Sequence, residues 1–161
     1  MAKPIPDGFH TITPHLAVTG AAKAIDFYKK AFGAEELGRH PTPDGRLMHA
    51  MIKIGDSFVM MADCFPEMGG PCRSPQDLGG TGVTLNLNTT DCDKVFNQAV
   101  AAGAKVLMPL MDMFWGDRYG QVVDPFGHIW AISTHKEDVP PAELEKRGRE
   151  AMAQMAKGHG Q

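Results

Sequence analysis

Two histidines, His15 and His49, stand in the stretches Thr13-Pro14-His15-Leu16-Ala17-Val18 and Leu47-Met48-His49-Ala50-Met51-Ile52. Imidazoles titrate near neutrality, so a pair on one strand face suits general acid/base work or a noncanonical metal site. The blander alternative is a pair satisfied by neighbouring amides. No carboxylate stands beside them on the same faces, which weakens the metal idea. Asn86, Tyr119 and Gln121 occupy comparable places in the second half of the chain. A few polar groups on otherwise apolar walls are what small-molecule pockets look like. The loop Met111-Asp112-Met113-Phe114-Trp115-Gly116-Asp117-Arg118 adds a third feature. Phe114 and Trp115 would cap a planar or apolar ligand, and Arg118 would pair with an anionic group. Alternatively the aromatics close the open end of a sheet, and Arg118 pairs with Asp117 or Asp124.

These side chains need strands to hold them, and the chain offers the same set twice. Ala24-Ile25-Asp26-Phe27-Tyr28-Lys29-Lys30-Ala31-Phe32-Gly33-Ala34 resembles Lys94-Val95-Phe96-Asn97-Gln98-Ala99-Val100-Ala101-Ala102-Gly103-Ala104. Both read as amphipathic helices closed by glycine, with Ile25, Tyr28 and Phe32 matching Val95, Ala99 and Ala102. A strand precedes each helix, Ile12 to Val18 and Gly82 to Asn88, and three follow it. Those are Glu35–Arg39, Leu47–Ile54 and Ser57–Ala62, then Lys105–Met108, Tyr119–Asp124 and His128–Thr134. Asp44-Gly45, Gly55-Asp56 and Asp124-Pro125-Phe126-Gly127 supply the turns. The order is βαβββ twice, and a period of about 70 residues fits a duplicated half-domain rather than a solenoid.

The fold class expected is α+β, with two tandem βαβββ modules forming a curled mixed sheet around a concave cavity, plus a C-terminal helix. Residues 1–135 form one domain, with modules at about 10–63 and 81–135 and a linker at 64–80. The linker's Pro66, Gly69, Gly70, Pro71, Pro75, Gly79 and Gly80 predict irregular chain, either a spacer or a lid. Residues 136–161 hold a helix opening at Pro140-Pro141, with Glu143/Arg147 and Glu145/Arg149 pairs and a frayed end from Lys157 to Gln161. Its apolar stripe of Leu144, Ala151, Met152 and Met155 needs the body or a second subunit to cover it.

Alternation sorts the faces. Pro14, Leu16 and Val18, then Met48, Ala50, Ile52 and Ile54, then Val83, Leu85 and Leu87, suit the helix side. Thr13, His15, Ala17, Leu47, His49, Met51, Thr84, Asn86 and Asn88 then face the cavity, and Trp130 faces the helices. Counting along the chain pairs Tyr119 with Leu47 and Gln121 with His49. The many methionines fill core gaps or give the pocket an adaptable lining.

The composition is that of an ordinary globular chain, 43% hydrophobic and 22% charged. A net charge of −3 gives no reason to expect nucleic acid, and no apolar run approaches a membrane span or a secretory signal. Cys64, Cys72 and Cys92 lack CxxC spacing, so free thiols in a reducing cytoplasm are expected.

The pieces Ala24-Ile25-Asp26-Phe27-Tyr28, Phe32-Gly33-Ala34, Trp115-Gly116-Asp117-Arg118-Tyr119-Gly120 and Asp124-Pro125-Phe126-Gly127-His128 name a family by their order and spacing. The chain resembles the vicinal-oxygen-chelate superfamily (glyoxalase, bleomycin-resistance and dioxygenase relatives), in particular its PhnB-like branch, from about Thr11 to His135. That resemblance implies a homodimer and a ligand-sized cavity. In metal-using members it also implies one His or Glu ligand on the first and one on the last strand of each module. Carried across, those positions fall on Thr13, Val59, Val83 or Thr84, and Ala131, none of which donates to a divalent ion. The expectation is therefore no metal and no cofactor. A small organic molecule would bind near His15, His49, Asn86, Phe114, Trp115, Arg118, Tyr119 and Gln121. An alternative is an enzyme (lyase, isomerase or dioxygenase-like) using His15 and His49. A third is a scaffold whose cavity is a remnant of the fold.

Overall fold

Gly33 closes the first long helix with φ 64°, a left-handed turn that costs glycine little, and the chain then turns straight into a strand. In the computed structural model, which describes residues 2–158, the first unit runs β1 (His15–Val18), α1 (Ala21–Phe32), β2 (Glu35–Pro41), β3 (Leu47–Ile54) and β4 (Ser57–Asp63). The linker holds a 3-10 turn at Pro66–Met68 and a short α2 (Pro75–Leu78). The second unit repeats the first as β5 (Thr84–Asn88), α3 (Cys92–Ala102), β6 (Lys105–Asp112), β7 (Asp117–Val123) and β8 (Ile129–His135). A C-terminal α4 spans Pro141–Gly158. The chain is thus α+β, two tandem βαβββ modules and a terminal helix. The strands make two four-stranded mixed sheets, ordered β1-β4-β3-β2 and β5-β8-β7-β6. In each, the first strand pairs parallel with the last, as a helix crossover requires.

Each helix starts against its own last strand. Asp63, buried at the end of β4, accepts from Gly20 N at 2.7 Å and Ala21 N at 3.1 Å, and also from Leu47 N at 2.7 Å. It thereby caps α1, whose own Gly20 has no side chain to do so. Thr134 does part of this in the second module, accepting from Cys92 N at 2.9 Å. The two helices pack on each other, and Gln98 Nε2 donates to the Lys30 carbonyl at 2.7 Å.

The core between the modules is aromatic. Tyr28 lies 5.4 Å from Trp130 and 6.0 Å from Phe32, ring centre to ring centre. Buried Asp124 collects the Tyr28 hydroxyl (2.7 Å), Trp130 Nε1 (2.9 Å) and the backbone N–H groups of Phe126 and His128 (both 2.9 Å). Trp130 is in the core, as alternation indicates.

Four expectations need correction. Leu47 is buried in the core rather than facing outward with His49, and Met48 is 61% exposed rather than packed on the helix. The β2–β3 pairing slips between His40–His49 and Pro41–Leu47, so Met48 is the extra residue of a β-bulge that inverts the alternation. Val83 likewise points away from the helix, 63% exposed, because β5 begins only at Thr84. The linker is less irregular than its composition suggests. Ser74 caps α2 in a reciprocal capping box with Asp77, and its hydroxyl lies 3.0 Å from that of Thr19. Finally, Cys64 and Cys72 are not free thiols but form a disulfide, because the linker doubles back to a Cα–Cα distance of 5.4 Å. Cys92 is free and buried.

The tail docks on the loop between β6 and β7. Gly116 accepts from Lys136 N (2.9 Å) and Glu137 N (3.0 Å), and at φ 99° any Cβ there would strike the Glu137 carbonyl oxygen. Phe114 packs on Gly148, and Arg147 grips Glu137 and Glu143. Both expected i,i+4 pairs form, while Met152 stays 68% exposed. Residues 159–161, part of the end expected to fray, lie outside the described residues. Among the described residues no helix is long and apolar enough to cross a membrane.

Candidate functional site

The helices cover one face of each sheet and leave the other open, so the register along the strands decides what the open faces present. On the first sheet, exposed His15 lies edge-on to half-buried His49 at 5.9 Å, and His40 stacks on His49 at 6.1 Å. Three imidazoles thus reach across β1, β3 and β2. His40 was not singled out from sequence, since only the pairing of His40 with His49 across β2 and β3 brings it in. Partial desolvation by the neighbouring strands first, and repulsion from His49 second, hold the His15 imidazole below the ordinary histidine range. A neutral ring at pH 7 follows.

On the second sheet, Gln121 Nε2 donates to the Tyr119 hydroxyl at 2.7 Å, and Asn86 Nδ2 donates to Asn88 at 2.8 Å. Ser133, which sequence reasoning did not single out, donates to Asn88 at 3.0 Å. Asp63 and Thr134, each accepting from the first N–H of its module's helix, fix how the modules correspond, and they lie three residues beyond Met60 and Ala131. His15 and Met51 both sit opposite Met60, while Asn86 and Gln121 both sit opposite Ala131. His15 therefore matches Asn86, Met51 matches Gln121, and His49 matches Tyr119. The match of Tyr119 with Leu47 and of Gln121 with His49, obtained by counting, is two residues out.

The same register tests the superfamily's metal positions. Val59 is buried against the helices, and the residue that corresponds to Ala131 is Met60. Thr13, Met60, Thr84 and Ala131 carry no imidazole or carboxylate, so they do not fit a divalent ion that takes N and O donors. Among the described residues, no three His, Cys, Asp or Glu side chains gather into a metal-holding group.

The β6–β7 loop is tied down from within. Trp115 Nε1 donates to Asp117 at 3.0 Å, and its ring meets Phe114 at 5.1 Å and Tyr119 at 5.6 Å, both edge-on. This stack joins the loop aromatics to the open face through Tyr119. Arg118 pairs with neither Asp117 nor Asp124. It makes a two-pronged contact with Asp93 (both 2.7 Å) and reaches Asp112 at 3.3 Å, so its charge is already matched.

Two cavities of about 510 Å³ each follow the seam where the free edges of β1 and β5 face one another. One takes in Thr13, Asn86, Phe32, Val95 and Trp130, with His10 at its rim. The other takes in His15, Ala17, Arg73, Leu78, Val83 and His128. His49, Phe114, Trp115, Tyr119 and Gln121 line neither, and Arg118 lines a separate acidic groove with Asp93 and Asp112. One chain thus brings together His15 with His49, and Trp115 with Tyr119 and Gln121, as two separate groups. Arg73 and His128 escaped the sequence reading, because nothing in the local sequence reveals that the linker folds back on β1.

The sequence model of the Glyoxalase/Bleomycin resistance protein/Dioxygenase superfamily matches residues 8–132. A protein of Mycobacterium bovis is 50% identical over 135 residues, which cover 83% of this chain and 89% of that protein. The crystal structure of TioX from Micromonospora is 28% identical with a TM-score of 0.61, covering 81% of this chain and all of that one. The structure of the PhnB protein from Bacillus cereus shares the fold at 21% identity and a TM-score of 0.59, covering 78% of this chain and 99% of that one.

Proposed function

The chain belongs to the glyoxalase/bleomycin resistance protein/dioxygenase superfamily, and from that premise we propose that it binds a small organic molecule without the metal chelate of its catalytic relatives. One observation carries the reading: the positions that would hold the ion are Thr13, Met60, Thr84 and Ala131, whose side chains cannot do so. What the open faces offer instead is imidazole, amide and phenol among methionine and alanine. His15 and His49 supply these on the first sheet, and Asn86, Tyr119 and Gln121 on the second. Phe114 and Trp115 add aromatic area at one end, reached through the Trp115–Tyr119 contact. Arg118 contributes by fixing that loop to Asp93, not by pairing with the ligand.

A homodimer is part of this proposal. The edge strands β2 and β6 are open, α4 leaves Met152 uncovered, and the two polar groups sit on different sheets. A second reading, acid–base catalysis by His15 beside His49, is favoured by the depressed His15 value, which leaves a free base at neutral pH.

The test is elemental analysis of protein purified without chelators, followed by a ligand screen against the wild type, Trp115→Ala and His49→Ala. Binding without stoichiometric metal, weakened by about 1–3 kcal/mol in Trp115→Ala, supports the reading. One zinc, nickel, manganese or iron per chain overturns it. So does a ligand that binds both variants as tightly as it binds the wild type.

A further inference from the structure

Five of the six arginines in this chain hold a carboxylate: Arg39 with Glu36, Arg46 with Asp44 and Glu67, Arg118 with Asp93 and Asp112, Arg147 with Glu137 and Glu143, and Arg149 with Glu145. Arg73 is the exception among the described residues. Its Nη1 donates to the Gly70 carbonyl at 3.2 Å and the Cys72 carbonyl at 2.8 Å, and no carboxylate is in contact with it, Asp77 acting on it only at longer range. Those two bonds hold the guanidinium to a loop that the Cys64–Cys72 disulfide closes and the Ser74 capping box anchors. Nε and Nη2 are left to donate elsewhere.

That group lies on the second seam cavity, between β1, α2 and the start of β5. The ionisable side chains around the cavity are His15, Arg73 and His128, all basic, in a chain whose acidic residues outnumber its lysines and arginines, 19 to 16. The rest of the wall is mainly apolar, including Ala17, Leu78 and Val83. Leu78 and Val83 are 67% and 63% exposed, so a ligand in the concavity would cover apolar surface that is otherwise open to water. His128 is fixed, since its Nε2–H donates to the Ala17 carbonyl at 3.0 Å, which also occupies an acceptor on the free edge of β1. At about 510 Å³ the space falls in the ordinary range of small-ligand cavities.

We propose that this seam cavity is a binding site for an apolar carboxylic acid, with the carboxylate forked onto Arg73 and the hydrocarbon part laid between Leu78 and Val83. A monoanion suits it better than a phosphate dianion, because the Arg73 guanidinium is the only permanently charged group lining the cavity. The site shares only His15 with the open-face site proposed above and does not depend on Trp115 or His49.

The test uses 4-phenylbutyrate and its neutral counterpart 4-phenylbutanol with the whole 161-residue chain in its oxidised form. Calorimetry measures affinity, and amide chemical shifts locate binding. The acid should bind at least ten-fold more tightly than the alcohol and shift the amides of Leu78, Val83 and His128. Arg73→Gln, a change at an exposed residue, should erase the preference. Val83→Glu should abolish acid binding by like-charge repulsion, and Trp115→Ala should change neither. Equal affinity for acid and alcohol overturns the proposal, as does no binding of the acid at millimolar concentration. An unaffected Arg73→Gln variant, or shifts confined to the neighbourhood of His49 and Tyr119, also overturns it. A loss in Trp115→Ala alone would place the acid on the open face instead, and so reject the seam site while supporting the other.

Discussion

The Tyr28 hydroxyl donates to Asp124 at 2.7 Å across 96 residues of chain, joining the helix of one module to the hairpin of the other. Both groups are buried, and Asp124 also receives Trp130 Nε1 and two backbone N–H groups. Burial first and the Asp124 charge second push the Tyr28 phenol well above its ordinary value, which keeps it a hydrogen-bond donor at neutral pH. Tyr28→Phe should cost about 1.5–3 kcal/mol, the range for a hydrogen bond to a charged partner, measured by urea denaturation. A loss under 0.5 kcal/mol would mean that the modules do not lean on this bond.

His15 offers a direct titration. Its proton affinity is lowered by partial desolvation and then by His49, so His49→Ala should raise the His15 midpoint part of the way back, read from imidazole proton shifts. The sign for stability follows. The unfolded chain binds this proton more readily than the folded one, so the fold weakens as pH falls through the ordinary histidine range. An unmoved midpoint in the variant would leave desolvation as the only cause.

His135 behaves oppositely. Asp117 Oδ1 lies 2.8 Å from its Nδ1 and Asp138 Oδ1 lies 2.9 Å from its Nε2, and these hydrogen bonds raise its proton affinity, Asp117 more than Asp138. The raised value means that its stabilising effect is full below the unfolded histidine range and is lost as pH rises through the folded value. Hydrogen exchange in residues 136–158 should therefore speed up, beyond its intrinsic dependence, as pH rises above the ordinary histidine range. His135→Gln should remove that extra dependence.

The Cys64–Cys72 bond closes a short ring, with a sequence separation of 8. The chain-entropy relation gives about 2–3 kcal/mol for a ring of this size. Dithiothreitol, or Cys72→Ser, should lower stability by up to that amount and leave both modules folded by circular dichroism. Complete unfolding on reduction would show that the linker organises more than itself.

The duplication, both helices and the burial of Trp130 were legible because they rest on local periodicity and on glycines at helix ends. Three kinds of feature were not. Met48 breaks the two-residue alternation, and a bulge is set by pairing with the neighbouring strand rather than by the strand's own sequence. Arg118 found Asp93 at a separation of 25 residues, where its neighbours Asp117 and Asp124 were the local choices. Arg73 and His128 line one cavity only because a glycine- and proline-rich linker folds back against β1, and long-range placement of that kind has no periodic signature. On the candidate site, residue types were legible while their grouping into separate places was not.

The disulfide also changes what the linker is as a tether. With Cys64 and Cys72 held at a Cα–Cα distance of 5.4 Å, residues 65–71 drop out of the path between the modules. That removes about 25 Å of reach, seven residues at full extension. When the helix-to-helix interface breathes open, the reach of the second module from the first is then about a third shorter. A shorter tether raises the effective concentration at which the two surfaces meet again. Sulfur chemistry in the linker therefore sets how strongly each module favours its own partner over that of another copy.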